Sequence, residues 1–177
     1  MKFIETKIKG VFLIEIEKIE DRRGFFARTW DSQELKNKKL IHNFVQCSIS
    51  FNKKKGTIRG MHFQLPPYEE SKIVNCVKGK IFDVIIDLRK NSPTFKQWES
   101  NELSSENYKM LYIPKGIAHG FQTLEDNSEV YYQMSEYYKP EYYRGIRYDD
   151  PNFKIRWPLP ISAISENDKE WETAKLN

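Results

Sequence analysis

Two histidines sit inside glycine-punctuated, strand-like sequence: Arg59-Gly60-Met61-His62-Phe63-Gln64 and, after a long interval, Ile113-Pro114-Lys115-Gly116-Ile117-Ala118-His119-Gly120-Phe121. Histidine is the side chain whose unperturbed pKa suits proton transfer near neutrality, and both stand beside a cation or a turn glycine rather than in a plain apolar run. The third of the chain's three histidines, His42, lies in a polar loop without that context. Proton-transfer chemistry is therefore expected at His62 and His119.

The segments that must hold them read mainly as strands. Ile73 to Val77 and Lys80 to Leu88 are β-branched runs joined at Lys78-Gly79, which reads as a hairpin turn. In the second run Phe82, Val84, Ile86 and Leu88 share one face, while Ile81, Asp83, Ile85 and Asp87 share the other. Carboxylates among aliphatics are what a strand lining a polar cavity would carry, although Asp83 could equally cap a loop or pair with a surface lysine. Further strands are predicted around Val11 to Ile16, Phe25 to Thr29, Asn43 to Phe51, Lys109 to Ile113, His119 to Thr123 and Glu129 to Tyr138. Asp31 to Lys39 could form a short helix with Ser32 as N-cap, and Glu166 to Ala174 another. Many short strands with few helices argue for a sandwich or barrel. No repeat, linker or low-complexity segment divides the chain, so residues 1–177 are expected to be a single domain.

Composition narrows the function classes. A hydrophobic fraction of 39% with 14% aromatics, over 177 residues, suffices for one real core of all-β or mixed type. The net charge of +4 comes from scattered lysines rather than from a block. A nucleic-acid surface would need a basic stripe interleaved with aromatics; Asn52-Lys53-Lys54-Lys55-Gly56 reads instead as an exposed loop, so no nucleic-acid partner is expected. The N-terminal MKFIETKIKG breaks its apolar residues with charges, and no later run approaches membrane-spanning length. The expectation is a cytoplasmic protein without a membrane partner. Cys47 and Cys76 form neither a CxxC pair nor a disulfide framework and read as buried thiols.

Taken together and in order, the local motifs carry a family resemblance: Asp21-Arg22-Arg23-Gly24-Phe25-Phe26, Ile58 through Gln64, Lys72 before a strand, Phe82-Asp83-Val84, Ser92-Pro93-Thr94-Phe95, Leu103 through Asn107, Ile113-Pro114 through Phe121, Tyr137-Tyr138, and Trp157-Pro158 followed by Ser165-Glu166-Asn167-Asp168. Almost end to end, the chain resembles the dTDP-4-dehydrorhamnose 3,5-epimerase family. The resemblance implies a cupin-type jelly roll with a few short helices, a homodimer, a nucleotide-sugar substrate and no cofactor. It also implies roles. His62 would be the base, oriented and made more basic by Asp168; Tyr132 would return a proton from the opposite side; Lys72 would stabilise the enolate oxygen, with His119 nearby on the sugar. Arg23 and Arg59 would grip the diphosphate, Arg23 arriving from the neighbouring subunit on the segment that carries Phe26. Gln46 would face the nucleotide, and Tyr138 would stack on its base.

The implied reaction makes chemical sense. A ketone at C4 acidifies the protons at C3 and C5, so inversion needs a base on one face, an acid on the other, and a cationic or hydrogen-bonding partner for the enolate. Strand alternation sends Tyr131 and Tyr132 to opposite faces, so only one can meet the substrate; the family pattern selects Tyr132. Asp168 could instead be a helix N-cap. Arg28, Cys47, Ser48, Tyr143 and Asn167 depart from the family pattern on stretches expected to touch substrate, which leaves open dTDP, CDP or GDP and inversion at C3, C5 or both. A cupin metal site would need His-x-His, but Phe63 and Gln64 follow His62, so no metal is expected. A non-catalytic sugar-binding cupin is the alternative outside enzymology.

Overall fold

The structure, a computed structural model, describes residues 1–174. Its strands are β1 (Lys2–Glu5), β2 (Phe12–Glu15), β3 (Ile19–Asp21), β4 (Gly24–Phe26), β5 (Gln46–Asn52), β6 (Ile58–Gln64), β7 (Lys72–Lys78), β8 (Lys80–Asp87), β9 (Trp98–Ser104), β10 (Met110–Ile113), β11 (Ile117–Thr123), β12 (Ser128–Met134) and β13 (Tyr143–Gly145). Two short helices, α1 (Ser32–Asn37) and α2 (Glu166–Glu170), complete it.

The strands form a six-stranded sheet in the order β1-β2-β10-β7-β12-β5 and a five-stranded sheet in the order β13-β6-β11-β8-β9. Antiparallel pairs nest around the β8–β9 hairpin: β7 pairs with β10, β6 with β11 and β5 with β12. This nesting is the jelly roll of cupin type that the motifs implied. Between the sheets lie Val74, Cys76, Ile81, Ile85, Leu111, Phe121 and Val130, all essentially sealed from solvent. On the other side of the five-stranded sheet, Met61, Val84, Ile86 and Ala118 are covered by Phe153, Ile155 and Trp157 of the C-terminal segment. Strand β8 is thus buried on both faces, the reason its sequence is nearly continuous in aliphatics.

Local geometry corrects several boundaries. Lys78-Gly79 is no hairpin turn, because β7 and β8 belong to different sheets. Gly79 turns the chain between them at φ +73°, and a Cβ there would stand 2.5 Å from Ser128 Oγ. Asp31, not Ser32, caps α1, its carboxylate accepting from the N–H groups of Gln33 and Glu34. The second helix stops at Glu170 rather than Ala174, and β12 stops at Met134 rather than Tyr138. The strand expected at Phe25 to Thr29 is the shorter Gly24–Phe26, which forms a hairpin with β3. Strands β1, β3, β9 and β13 were not anticipated: β9, Trp-Glu-Ser-Asn-Glu-Leu-Ser, is a polar sheet edge, and the others are too short for a period.

Candidate active site

His62 and His119 face each other across one rung of the β6–β11 ladder. Strict alternation would then turn Arg59, three residues before His62, to the opposite face. It does not, because the register shifts between His119 and Phe121, so Gly60 and Met61 together oppose Gly120. This bulge aims both Arg59 and His62 inward while Met61 joins the outer core. Gly60 permits it: its φ is +116°, and a Cβ would lie 2.5 Å from Gly120 Cα and 2.8 Å from the His119 carbonyl oxygen. A glycine inside an apolar strand pattern is the sequence signal for such a bulge.

The two rings line a cavity of about 230 Å³ with Arg59, Lys72, Tyr132 and Tyr143. Lys72 and Tyr132 come from β7 and β12 of the opposite sheet, so the histidines and the phenol meet across the interior. An adjoining cavity of about 350 Å³ shares Lys72 and Tyr132 and adds Gln46, Ser48, Glu70 and Tyr138. There the Gln46 side-chain oxygen accepts from the Tyr138 backbone N–H at 2.7 Å. A larger cavity, about 710 Å³, lies against Phe63, Leu88, Ile146 and Trp171; its lining is mostly apolar and contains no histidine.

Each histidine is held by a buried carboxylate. His62 Nε2 lies 2.6 Å from Asp168 Oδ1, and His119 Nε2 lies 2.7 Å from Asp83 Oδ2. Asp168 is not the cap of α2; Ser165 is, accepting from the Asp168 N–H, and this leaves the Asp168 side chain free to turn inward. The Gly60 N–H and the Trp171 indole N–H also donate to Asp168, at 3.3 Å each. Burial works to raise the Asp168 carboxyl, but His62, the Gly60 N–H and Ser165 outweigh it and hold the group below the usual carboxylate range. Burial lowers His62 below its ordinary value; Asp168 opposes that shift without reversing it, and Lys72 and His119 add to it. His62 is therefore neutral near pH 7, with Nε2 donating to Asp168 and Nδ1 left as the basic nitrogen. Burial, then the Asp83 charge, pushes the Tyr132 phenol up, so it stays protonated and able to donate, with Arg59 acting the other way. Burial also raises Asp83, against the pull of His119.

Two further groups condition the site. Lys72 Nζ is paired with Glu70 Oε1 at 2.9 Å, both side chains being nearly buried, so its ammonium already has a carboxylate partner. Arg59 Nε donates to Asn52 Oδ1 at 2.7 Å, which fixes the guanidinium at the cavity wall. Sequence reasoning missed Glu70, Asn52 and Trp171 as parts of the site, and Asp83 was left with a structural alternative. Among the five departures only Ser48 and Tyr143 reach the cavities: Cys47 and Asn167 are exposed, and Arg28 pairs with Asp31 at 3.6 Å. Cys47, expected to be buried, faces outward on β5; Cys76 is buried, its thiol pushed up to about 12.

Arg23 and Phe26 stand apart. The β3–β4 hairpin pairs with no other strand among the described residues, Arg23 is 83% exposed and bonded to Asp21 in its own turn, and Phe26 is 68% exposed. Within one chain they do not meet His62. Among the described residues no three His, Cys, Asp or Glu side chains converge as metal ligands, and no helix is long and apolar enough to cross a membrane.

Comparison with known proteins identifies the family and the fold. The sequence profile of the dTDP-4-dehydrorhamnose 3,5-epimerases matches residues 5–175. The dTDP-4-dehydrorhamnose 3,5-epimerase of Methanothermobacter thermautotrophicus is 41% identical over 179 residues, spanning 99% of this chain and 96% of the relative. The crystal structure of the Bacillus anthracis enzyme with TDP and pyrophosphate bound superposes with a TM-score of 0.94 at 39% identity, covering 98% of this chain and 99% of that one. The dTDP-6-deoxy-D-glucose-3,5-epimerase of Legionella pneumophila, solved with dTDP-4-keto-L-rhamnose, gives 0.90 at 36% identity over 97% and 92% of the two chains. With a matching profile over nearly its whole length, two sheets in the same arrangement and relatives near 40% identity, the chain belongs to the dTDP-4-dehydrorhamnose 3,5-epimerase family, isomerases of nucleotide sugars.

Proposed function

We propose that the cavity between the sheets epimerises a nucleoside-diphosphate 4-keto-6-deoxy sugar at C3 and C5, with dTDP-4-dehydro-6-deoxyglucose as substrate. The observation that carries this reading is the opposition of His62 on β6 to Tyr132 on β12, in different sheets and on either side of one cavity. A sugar ring between them meets a neutral imidazole on one face and a protonated phenol on the other. His62 Nδ1 takes the α-proton, and its new charge is balanced through Nε2–H by Asp168. The electrons move onto the C4 oxygen, where Lys72 supplies cationic stabilisation, with His119 nearby to hydrogen-bond the sugar. Tyr132 then returns a proton from the opposite face. Arg59 with Gln46 and Tyr138 forms the diphosphate and base end of the site. The proposal takes residues 1–177 as one catalytic domain, cytoplasmic and free of cofactor.

The site is completed in a homodimer. The outer face of the six-stranded sheet exposes Ile49 at 60% and Phe51 at 47%, and the β3–β4 hairpin exposes Ile19 at 69%; apolar groups at these densities favour a protein partner. A second copy's hairpin would bring Arg23 and Phe26 to the nucleotide end. Mixing Arg23→Ala with His62→Ala after subunit exchange should restore activity, whereas a monomeric mass or no rescue would show that each chain works alone.

The test of the reaction is incubation with 4-keto-6-deoxy sugars on dTDP, CDP and GDP in deuterated water. Deuterium should enter at C3 and C5 of the dTDP sugar. Exchange at one carbon only, or only on CDP or GDP sugars, would replace the substrate by a single-position or different-nucleotide reading; no exchange on any would favour a sugar-binding protein.

A further inference from the structure

Asp83 and Asn101 stand directly opposite each other on the β8–β9 ladder. Residues opposed in this way place their Cβ atoms roughly 4.5–5.5 Å apart on the same face. Asp83 is sealed from solvent and spends Oδ2 on His119 Nε2 at 2.7 Å, while its Oδ1 has no hydrogen-bond partner among the described residues. Across the rung, Asn101 Nδ2 is a buried donor that likewise has none. One rung therefore holds an unused acceptor and an unused donor, on the strand pair behind a site histidine. Buried polar atoms without partners are uncommon, and two complementary ones facing each other point to a shared interaction. Asn101 also lines a separate cavity of about 350 Å³ with Leu13 and Glu99, on the far side from His62, which offers room for a water molecule.

Taking the epimerisation site as proposed above, we infer that Asn101 is a positioning residue for the His119–Asp83 pair, its amide N–H completing the hydrogen bonds of the Asp83 carboxylate, directly or through one buried water. With Oδ1 occupied, Asp83 keeps Oδ2 aimed at His119 Nε2 and is held as a carboxylate. His119 then presents its other nitrogen to the sugar in a fixed orientation. The titratable groups that act on Asp83 are His119 from β11, Lys72 from β7, Tyr132 from β12 and Cys76 from β7. As placed, none of them donates to Oδ1, which has no hydrogen-bond partner among the described residues, and His119 already spends its N–H on Oδ2.

The test is Asn101→Val, which suits a strand and replaces the amide by methyl groups. Exchange and inversion at saturating substrate should fall about threefold to tenfold, the scale of one hydrogen bond to a polar group. The substrate KM should stay constant, the acid side of the kcat–pH profile should move, and thermal stability should fall only by the scale of the one hydrogen bond that Asp83 loses. The His119 ring N–H signal, read by NMR in the absence of substrate and assigned with His119→Asn, should shift. An unchanged His119 signal with kcat and pH profile within twofold of wild type would overturn the inference, as would a loss of activity that merely tracks a fall in melting temperature. Because the ring signal needs no substrate, a wild-type protein that exchanges no deuterium would defeat the proposed reaction and leave the Asn101 measurement decisive on its own.

Discussion

Strands β8 and β5 belong to the same barrel and reverse each other's polarity. On β8, Ile81 and Ile85 face the interior and Val84 and Ile86 face the outer layer, so apolar side chains are buried on both sides. On β5 the polar residues Gln46, Ser48, Ser50 and Asn52 share the face of Tyr132, the first three lining the cavities and Asn52 holding Arg59, while Cys47, Ile49 and Phe51 point away. A strand that is polar inward and apolar outward is unstable as a wall of an isolated molecule. It becomes reasonable when a charged substrate fills the inside and protein covers the outside. The lesson is that β8 is shaped by folding and β5 by what it binds.

The comparison breaks most sharply at the base. His62→Asn keeps the ring's place but removes the basic nitrogen, and deuterium wash-in at C3 and C5 should drop at least about 10²-fold with little change in melting temperature. Exchange within a few-fold of wild type would show that the inward polar face does no proton transfer at His62. Tyr132→Phe should lower inversion by about 10²-fold while wash-in persists, because abstraction outlives delivery from the other side. Tyr131→Phe, on the outward face, should leave both steps near wild type, and the reverse outcome would exchange the roles of the two faces.

Stability and association separate β8 from β5 next. Ile85→Ala should cost about 2–5 kcal/mol in chemical denaturation, as for other fully buried aliphatics. Phe51→Lys should change monomer stability by no more than about 0.5 kcal/mol, the usual range for a surface position, yet shift the mass in solution toward monomer. A Phe51→Lys protein that keeps its oligomeric mass would mean the outward face is not the covered one. The smallest effect concerns pH. His62 must be neutral to accept a proton, and burial lowers its pKa, so the neutral form survives to lower pH and the acid limb of kcat should fall below about 6.5. A limb above that value would mean that Asp168 outweighs burial at this ring.

Much of this was legible before any coordinates. The β-branched runs gave β7 and β8, and the alternation in β8 placed Asp83 among interior aliphatics, where it meets His119. What alternation could not reveal was a break in itself. Arg59 and His62 face the same cavity only because Gly60 and Met61 share one opposing residue, and a strict period of two sends them apart. The Gly79 corner had the composition of a hairpin turn, and only long-range pairing separates the two. By local rules Asp168 could equally be a cap, since it lies within the first turn of a helix; only the family resemblance paired it with His62, 106 residues away. Strand β9 carried too little apolar periodicity to be seen, and it bears Asn101.

The nesting of the jelly roll also sets a schedule. Hairpin β8–β9 closes over a short connection, β7–β10 must span it, β6–β11 must span both, and β5–β12 spans them all. Each wider loop costs more entropy to close before its contacts reward it, and chains dominated by such distant pairings acquire their structure slowly. His62, His119, Lys72 and Tyr132 come from the three wider pairs, while Asp83 sits on β8, Tyr143 on β13 and Asp168 on α2. A refolding chain can thus bury its central aliphatics while still inert, and catalytic competence returns with the last closures rather than the first collapse.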